Sequence, residues 1–209
     1  MAYQCRRIVA RVLVCLEEVG ANYEVVPINF SMGEHKSIEH IARNPFGQVL
    51  AFQDGDLVLF ESRTISKYVL RKNNSELLKE DNLSDLAKVD MWLEVESHKF
   101  DRPMSVIIYQ CLIIPNYLDG ETDVKVVEEN VEMLKKTFDV YEARLSKFKY
   151  LAGDFISLAD LSQFPTAYYL METPHASLLD EYPHVKAWIT DILARPTAKK
   201  VAEMMKPTA

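Results

Sequence analysis

Apolar positions recur along this chain with two different spacings, and the change between them divides it. From Arg6 to Val19, Val9, Val12, Leu13 and Leu16 share one side of a helix, and Gly20 is placed to end it. Tyr23–Phe30 (YEVVPINF) reads as a strand, and Pro27 within it makes that strand an edge. Ser31 to Ser37 reads as a loop and Ile38 to Arg43 as a turn of helix. Val49–Gln53 and Asp56–Phe60 flank Asp54-Gly55, a strong short hairpin signal, and Ser62 to Lys72 is again helical. Helix, strand, short helix, hairpin and helix predict a small α/β layer over residues 1–75. The polar stretch Asn73–Asn82 reads as a linker, and beyond it strand signals vanish. Leu83 to Ile114 predicts one long helix kinked at Pro103. Val127, Val131, Leu134, Phe138, Tyr141 and Leu145 form a buried stripe on the next helix. Ser157-Leu158-Ala159-Asp160 is a capping-box start to a helix through Tyr169. Tyr182-Pro183 and Pro196 open two more. The expected fold is thus an α+β layer over residues 1–75 joined to an all-α domain over 83–209.

Composition narrows the function. The hydrophobic fraction is 48%, yet no run approaches the ~18 apolar residues that span a bilayer. The start, MAYQCRRIVARV, has neither a cleavage site nor transit-peptide character. Three cysteines without a CxxC argue against a disulfide framework and a zinc site and suit a reducing, cytoplasmic setting. The histidines include no HExxH and the glycines no phosphate-binding loop, so neither metal nor nucleotide is expected. Net charge is −7; residues 1–75 carry nine basic against eight acidic side chains, leaving fifteen against twenty-three beyond them. An acidic chain without a basic stripe is not expected to bind nucleic acid.

The most informative stretch is QDGDLVLFESRTISKY, Gln53 to Tyr68. A short apolar strand runs into Glu61-Ser62 at a helix start. That start offers unpaired N–H groups and positive dipole potential, which suit a ligand carboxylate. Ser62 can donate to that carboxylate, and Glu61 can accept from an ammonium. A free α-amino-acid end carries both groups.

These residues are the wording of the γ-glutamyl site in glutathione transferases. The chain resembles that family from about Val9 onward, and the plant phi class most closely. EHKSIEHIARNPFGQ, QDGDLVLFESRTISKYVLRK, VYEARLSKFKYLAGDFISLADLSQFP and YPHVKAWITDILARP carry the resemblance. It implies a thioredoxin-like first domain and a helical second one, with glutathione as co-substrate, no metal, and a homodimer. By the same resemblance Glu61 and Ser62 hold the γ-glutamyl end, and His35, Lys36 and Gln48 serve the glycine carboxylate. The strand at Val49 pairs with the tripeptide backbone. Met104, Tyr109, Ile113 and Tyr169 are expected at the pocket for a small hydrophobic electrophile.

Three departures touch this site. Arg6 stands where the phi class has its catalytic serine. The residues before it are too few for the family's whole first strand and following loop. Leu50 replaces a proline whose cis bond shapes the glutathione-binding backbone, so Val49–Leu50 is expected to be trans. Three groups are candidates to take over thiol activation: Arg6 by its charge, Tyr3 by its hydroxyl, and Cys5 by mixed-disulfide chemistry. Conjugation at reduced efficiency is the expected activity. A non-catalytic ligand-binding or regulatory protein and a Cys5-dependent thiol transferase are the alternatives.

Overall fold

The structure, a computed structural model, describes residues 2–206, with side chains from residue 6. Helix α1 runs Ala2–Glu18, so the residues ahead of the expected helix join it; Gly20, with φ of 62°, turns the chain out. The segment 21–29 has no regular structure, so the strand expected at Tyr23–Phe30 does not form. The reason is the missing neighbour. A strand is held by a ladder, and the two strands that exist, β1 (Phe52–Asp54) and β2 (Leu57–Leu59), pair with each other, Gln53 opposite Val58. Val25 and Val26 therefore stay 54% and 71% exposed.

A short helix α2 (Ile38–Arg43) starts at Ser37, whose hydroxyl accepts from the His40 amide. Helix α3 (Ser62–Lys72) follows the hairpin with the bounds the sequence implies and buries Ile65, Val69 and Leu70. The expected linker is partly ordered by a tight turn at Glu76–Leu78 that buries Leu78 completely.

The long helix expected from Leu83 is interrupted twice, and not as a kink at Pro103. It comprises α4 (Leu83–Val95), a π-helical turn Glu96–Phe100, α5 (Asp101–Ile108), a second π-helical turn Tyr109–Ile113, and α6 (Ile114–Tyr117). Pro103 has no N–H to give the Lys99 carbonyl four residues back. The Thr137 hydroxyl donates to that carbonyl instead, at 2.9 Å. Helix α7 (Val124–Leu145) buries the predicted stripe except Val131, which is partly buried. The next helix is broken into α8 (Leu158–Leu161) and α9 (Phe164–Glu172), where Pro165 opens a new first turn. Helices α10 (Pro183–Ala194) and α11 (Pro196–Met205) begin at prolines.

The main core lies among α4, α5, α7, α9 and α10. Tyr141 packs edge-on against both Trp92 and Trp188, with ring centroids 5.6 and 5.8 Å away, and its hydroxyl donates to Gln163. Helix α1 is clamped antiparallel to α11. Glu18 accepts from Nε and Nη2 of Arg195 at one end, and Arg6 donates to the Met205 and Lys206 carbonyls at the other.

One buried carboxylate ties several of these elements together. Asp160 caps α8 through the Ser157 amide and hydroxyl, and also accepts from the Leu151 amide and Trp188 Nε1. Asp160→Ala leaves four buried donors unpaired at about 1–3 kcal/mol each. We expect it to lower unfolding free energy by at least about 3 kcal/mol in urea titration. A loss below about 1 kcal/mol would show that water takes over those donors.

Candidate functional site

The backbone at Glu61 has φ of 72° and ψ of 105°, a conformation that costs a residue with a Cβ about 1–3 kcal/mol. Strain of this kind persists where the surroundings impose it. Here it turns the chain from β2 into α3, leaving Glu61 exposed and Ser62 buried. The first bond of α3 runs from the Ile65 amide to the Glu61 carbonyl at 3.0 Å. The amides of Ser62, Arg63 and Thr64 therefore have no acceptor within the helix. Ser62 Oγ accepts from Arg11 Nη1 at 3.0 Å, which leaves the hydroxyl proton free to donate, strengthened by the charge behind it.

A second group forms beside this corner. Gly47, with φ of 57°, lets the Lys36 side chain lie across the turn; a Cβ there would stand 2.9 Å from Lys36 Cδ and Nζ. Lys36 Nζ donates to the Phe46 carbonyl at 3.2 Å. Gln48 is exposed, and its carbonyl takes contacts from His40 and the Asn44 amide, both at 2.9 Å. Asn44 also donates to the Leu50 carbonyl at 3.1 Å, which fixes the backbone through Val49, and that peptide is trans as expected. His35 stacks on Phe30, and its Nδ1 has no hydrogen-bond partner among the described residues. Phe46 packs edge-on against Phe60 with centroids 5.9 Å apart, joining this loop to the Glu61 corner. The structure thus sets Lys36, His35, Gln48 and Val49 on one loop region and Glu61 and Ser62 at the α3 corner, the two joined by the Phe46–Phe60 contact.

Behind Ser62 lies a buried cluster of five charges that sequence reasoning missed. Arg11, 1% exposed, donates to Ser62, to the Ser162 carbonyl, to Glu96 at 3.0 Å and to Asp101 at 3.1 Å. Arg63 Nε donates to Glu96 at 2.6 Å, and its Nη2 lies 3.5 Å from Asp101. Arg7 is paired with Asp101 and donates to Ser105 at 2.8 Å and to Thr166 at 3.3 Å. The first π-helical turn explains how one helix supplies both acids, since it carries Glu96 and delivers Asp101 at its end. The signal in the sequence was the pair Arg7 and Arg11 at helical spacing on an otherwise apolar face. Burial favours neutral Asp101, but the guanidinium groups of Arg11, Arg7 and Arg63 outweigh it and hold the carboxyl below its usual range.

The expected thiol-activating groups fare differently. Arg6 is committed to the carbonyls at the end of α11, so its placement does not support a role at Ser62. The Tyr3 and Cys5 side chains lie outside the described residues. Of the expected electrophile residues, Tyr109 and Ile113 line a cleft of about 230 Å³ with Arg7, Ser105, Val106 and Ile108. Met104 and Tyr169 do not line it. Met104 is on the inner face of α5 with no exposed surface, and Tyr169 is 1% exposed with its hydroxyl toward the Met205 carbonyl. No helix among the described residues is long and apolar enough to cross a membrane, and no three His, Cys, Asp or Glu side chains among them are grouped to hold a metal.

The fold agrees with comparison to known proteins. Residues 2–71 match the glutathione S-transferase N-terminal domain, and residues 100–196 match the C-terminal domain. The probable glutathione S-transferase GSTF2 of Oryza sativa subsp. japonica is 60% identical over 201 residues, which is 96% of this chain and 94% of the relative. Glutathione S-transferase 1 of Zea mays is 58% identical over 95% of this chain and 92% of its own. Among solved structures, glutathione S-transferase I of maize in complex with an atrazine glutathione conjugate superposes with a TM-score of 0.93 at 57% identity, covering 97% and 95% of the two chains. Glutathione S-transferase I bound with lactoylglutathione gives 0.92 at 56%, covering 95% and 94%. The chain belongs to the glutathione S-transferase family, with a thioredoxin-like N-terminal domain reduced to a two-stranded sheet and a helical C-terminal domain.

Because Asp101 is held below its usual pKa, its contribution to stability is present above the unfolded value near 3.8 and is lost as pH falls through the folded value. Asp101→Asn leaves guanidinium charge uncompensated and should cost about 3 kcal/mol at pH 7. Its unfolding free energy should also fall less steeply than wild type below about pH 4. Identical acid slopes in urea unfolding from pH 7 to pH 2 would show that Asp101 carries none of this linkage.

Proposed function

We propose that this chain conjugates the thiol of glutathione to small electrophiles with an apolar body, in the cytoplasm and as a homodimer, at reduced efficiency. The observation that carries the reading is the strained Glu61 corner, which presents an exposed carboxylate beside a buried serine hydroxyl and three free amides. In this reading the Ser62 hydroxyl and the first amides of α3 take the γ-glutamyl carboxylate, and Glu61 takes the ammonium. Lys36, His35 and Gln48 face the glycine carboxylate, and the Val49 backbone pairs with the cysteine residue. The relatives with bound glutathione conjugates support glutathione as co-substrate. The step is nucleophilic displacement. The thiol proton leaves to solvent, the sulfur lone pair forms the carbon–sulfur bond, and the leaving group departs with its bonding electrons. Such chemistry serves detoxification.

Reduced efficiency follows from thiol activation. Lowering a thiol pKa by ~2 units takes ~2.7 kcal/mol of preferential thiolate stabilisation. In the family a serine hydroxyl occupies the slot that Arg6 fills here, and Arg6 is engaged elsewhere. The same commitment favours, as a second reading, a ligand-binding protein that holds glutathione without turning it over. A Cys5 thiol transferase remains the third.

Ser62→Ala removes a charge-assisted bond to the ligand carboxylate. It should weaken glutathione binding by about 1.5–3 kcal/mol, roughly 10- to 150-fold, in titration calorimetry. Unchanged affinity would place the γ-glutamyl site elsewhere. Arg6→Ala should leave the pKa of the bound thiol where it is, read from thiolate absorbance against pH, while loosening the end of α11. A rise in that pKa would return Arg6 to the site.

A further inference from the structure

The cleft lined by Tyr109 and Ile113 has an unusual floor. Its walls come from Val106, Ile108, Tyr109 and Ile113, with hydroxyls from Ser105 and Tyr109, and Arg7 lies among them, 3% exposed. No carboxylate lines it. Ser105 cannot serve as a free donor, because its hydroxyl already donates to the Asp101 carbonyl at 2.6 Å and accepts from Arg7.

Two observations bear on what fits there. A guanidinium has five N–H donors in a rigid fork. Arg7 uses Nη1 on Asp101 and Thr166 and Nη2 on Ser105, while its buried Nε has no partner among the described residues. The cluster as a whole sets three guanidinium groups, Arg7, Arg11 and Arg63, against two carboxylates, Glu96 and Asp101, so one positive charge is uncompensated. Arg7 itself is paired with Asp101, but it is the one charged side chain among those lining the cleft, so the excess positive charge behind it favours an anion there. A cavity of about 150 Å³ already admits benzene, so one of about 230 Å³ holds a single ring with a short chain.

We propose that this cleft selects amphipathic organic carboxylates, a single aromatic or branched apolar body with an anionic end, through the charge of Arg7. Tyr109, Ile113, Val106 and Ile108 surround the body, and the carboxylate turns toward the Arg7 end. This names the class of second substrate for the conjugation reading and rests on that reading for the word substrate. Binding of the anion itself requires no glutathione.

The test uses the full chain and a matched pair of probes, 4-phenylbutyrate and its neutral carboxamide, titrated calorimetrically without glutathione. Wild type should bind the carboxylate at least about tenfold more tightly at low salt, with the preference shrinking as salt rises. Val106→Trp, which fills the half-buried wall, should remove carboxylate binding. Arg7→Gln should bring the two Kd values together. If Arg7→Gln does not fold, the wild-type pair and Val106→Trp still decide. Equal affinity of wild type for the two probes, or a carboxylate preference that survives Val106→Trp, overturns the proposal. Glutathione affinity is measured in parallel. Glutathione binding without a carboxylate preference overturns this proposal and leaves the conjugation reading standing. A carboxylate preference without glutathione binding supports this proposal and removes the conjugation reading.

Discussion

The interaction on which the structure turns is Arg11 buried among four partners. Taking a guanidinium out of water is costly unless each edge finds an acceptor in good geometry. Arg11 finds them on Ser62 at the start of α3, on Glu96 and Asp101 around the first π-helical turn, and on the Ser162 carbonyl between α8 and α9. Four separate elements must therefore reach one point together. Such a requirement does more for uniqueness than for raw stability, since an apolar replacement of equal volume would avoid the desolvation. It also accounts for the π-helical turn, because a regular helix would place Glu96 and Asp101 on less convergent sides. The break between α8 and α9 has the same use, freeing the Ser162 carbonyl to accept from Arg11.

The site at Glu61 leans on this cluster from one side and on an aromatic contact from the other. Ser62 is oriented by a charged donor that cannot relax, and the Lys36 loop is held to the same corner by Phe46 on Phe60. Between them the backbone from Gln48 to Leu50 is pinned by Asn44, which donates to both carbonyls, with His40 also on that of Gln48. The site keeps its shape even though the sheet beneath it has two short strands. Side-chain hydrogen bonds replace part of what a wider ladder supplies.

Local chemistry made much of this legible in the sequence. The hairpin at Asp54-Gly55, the α3 bounds, the capping box at Ser157 and the helix starts at Pro183 and Pro196 each depend on a few neighbouring residues. What failed depended on partners far along the chain. Tyr23–Phe30 has strand composition but no strand beside it, and composition cannot reveal a missing neighbour. Met104 and Tyr109 belong to one helical stretch, and periodicity alone did not say which faced the cleft; the π-helical turns then shifted the phase. The charge cluster joins Arg7 and Arg11 to Glu96 and Asp101 some ninety positions away, a relation that no local spacing records.

The fate of Arg6 and Arg7 shows how helical phase assigns function. Alignment by family wording puts Arg6 in the serine slot, which supposes a strand and loop ahead of it. Here α1 extends back to Ala2, so residue 6 is an ordinary helical position. Neighbours on a helix point about 100° apart, whereas residues four apart share a face. Arg7 therefore goes with Arg11, inward toward Asp101, and Arg6 turns to the end of α11, where its charge meets the negative end of a helix dipole. The helical phase that turns Arg6 away thus places Arg7 as a buried cation beside the cleft.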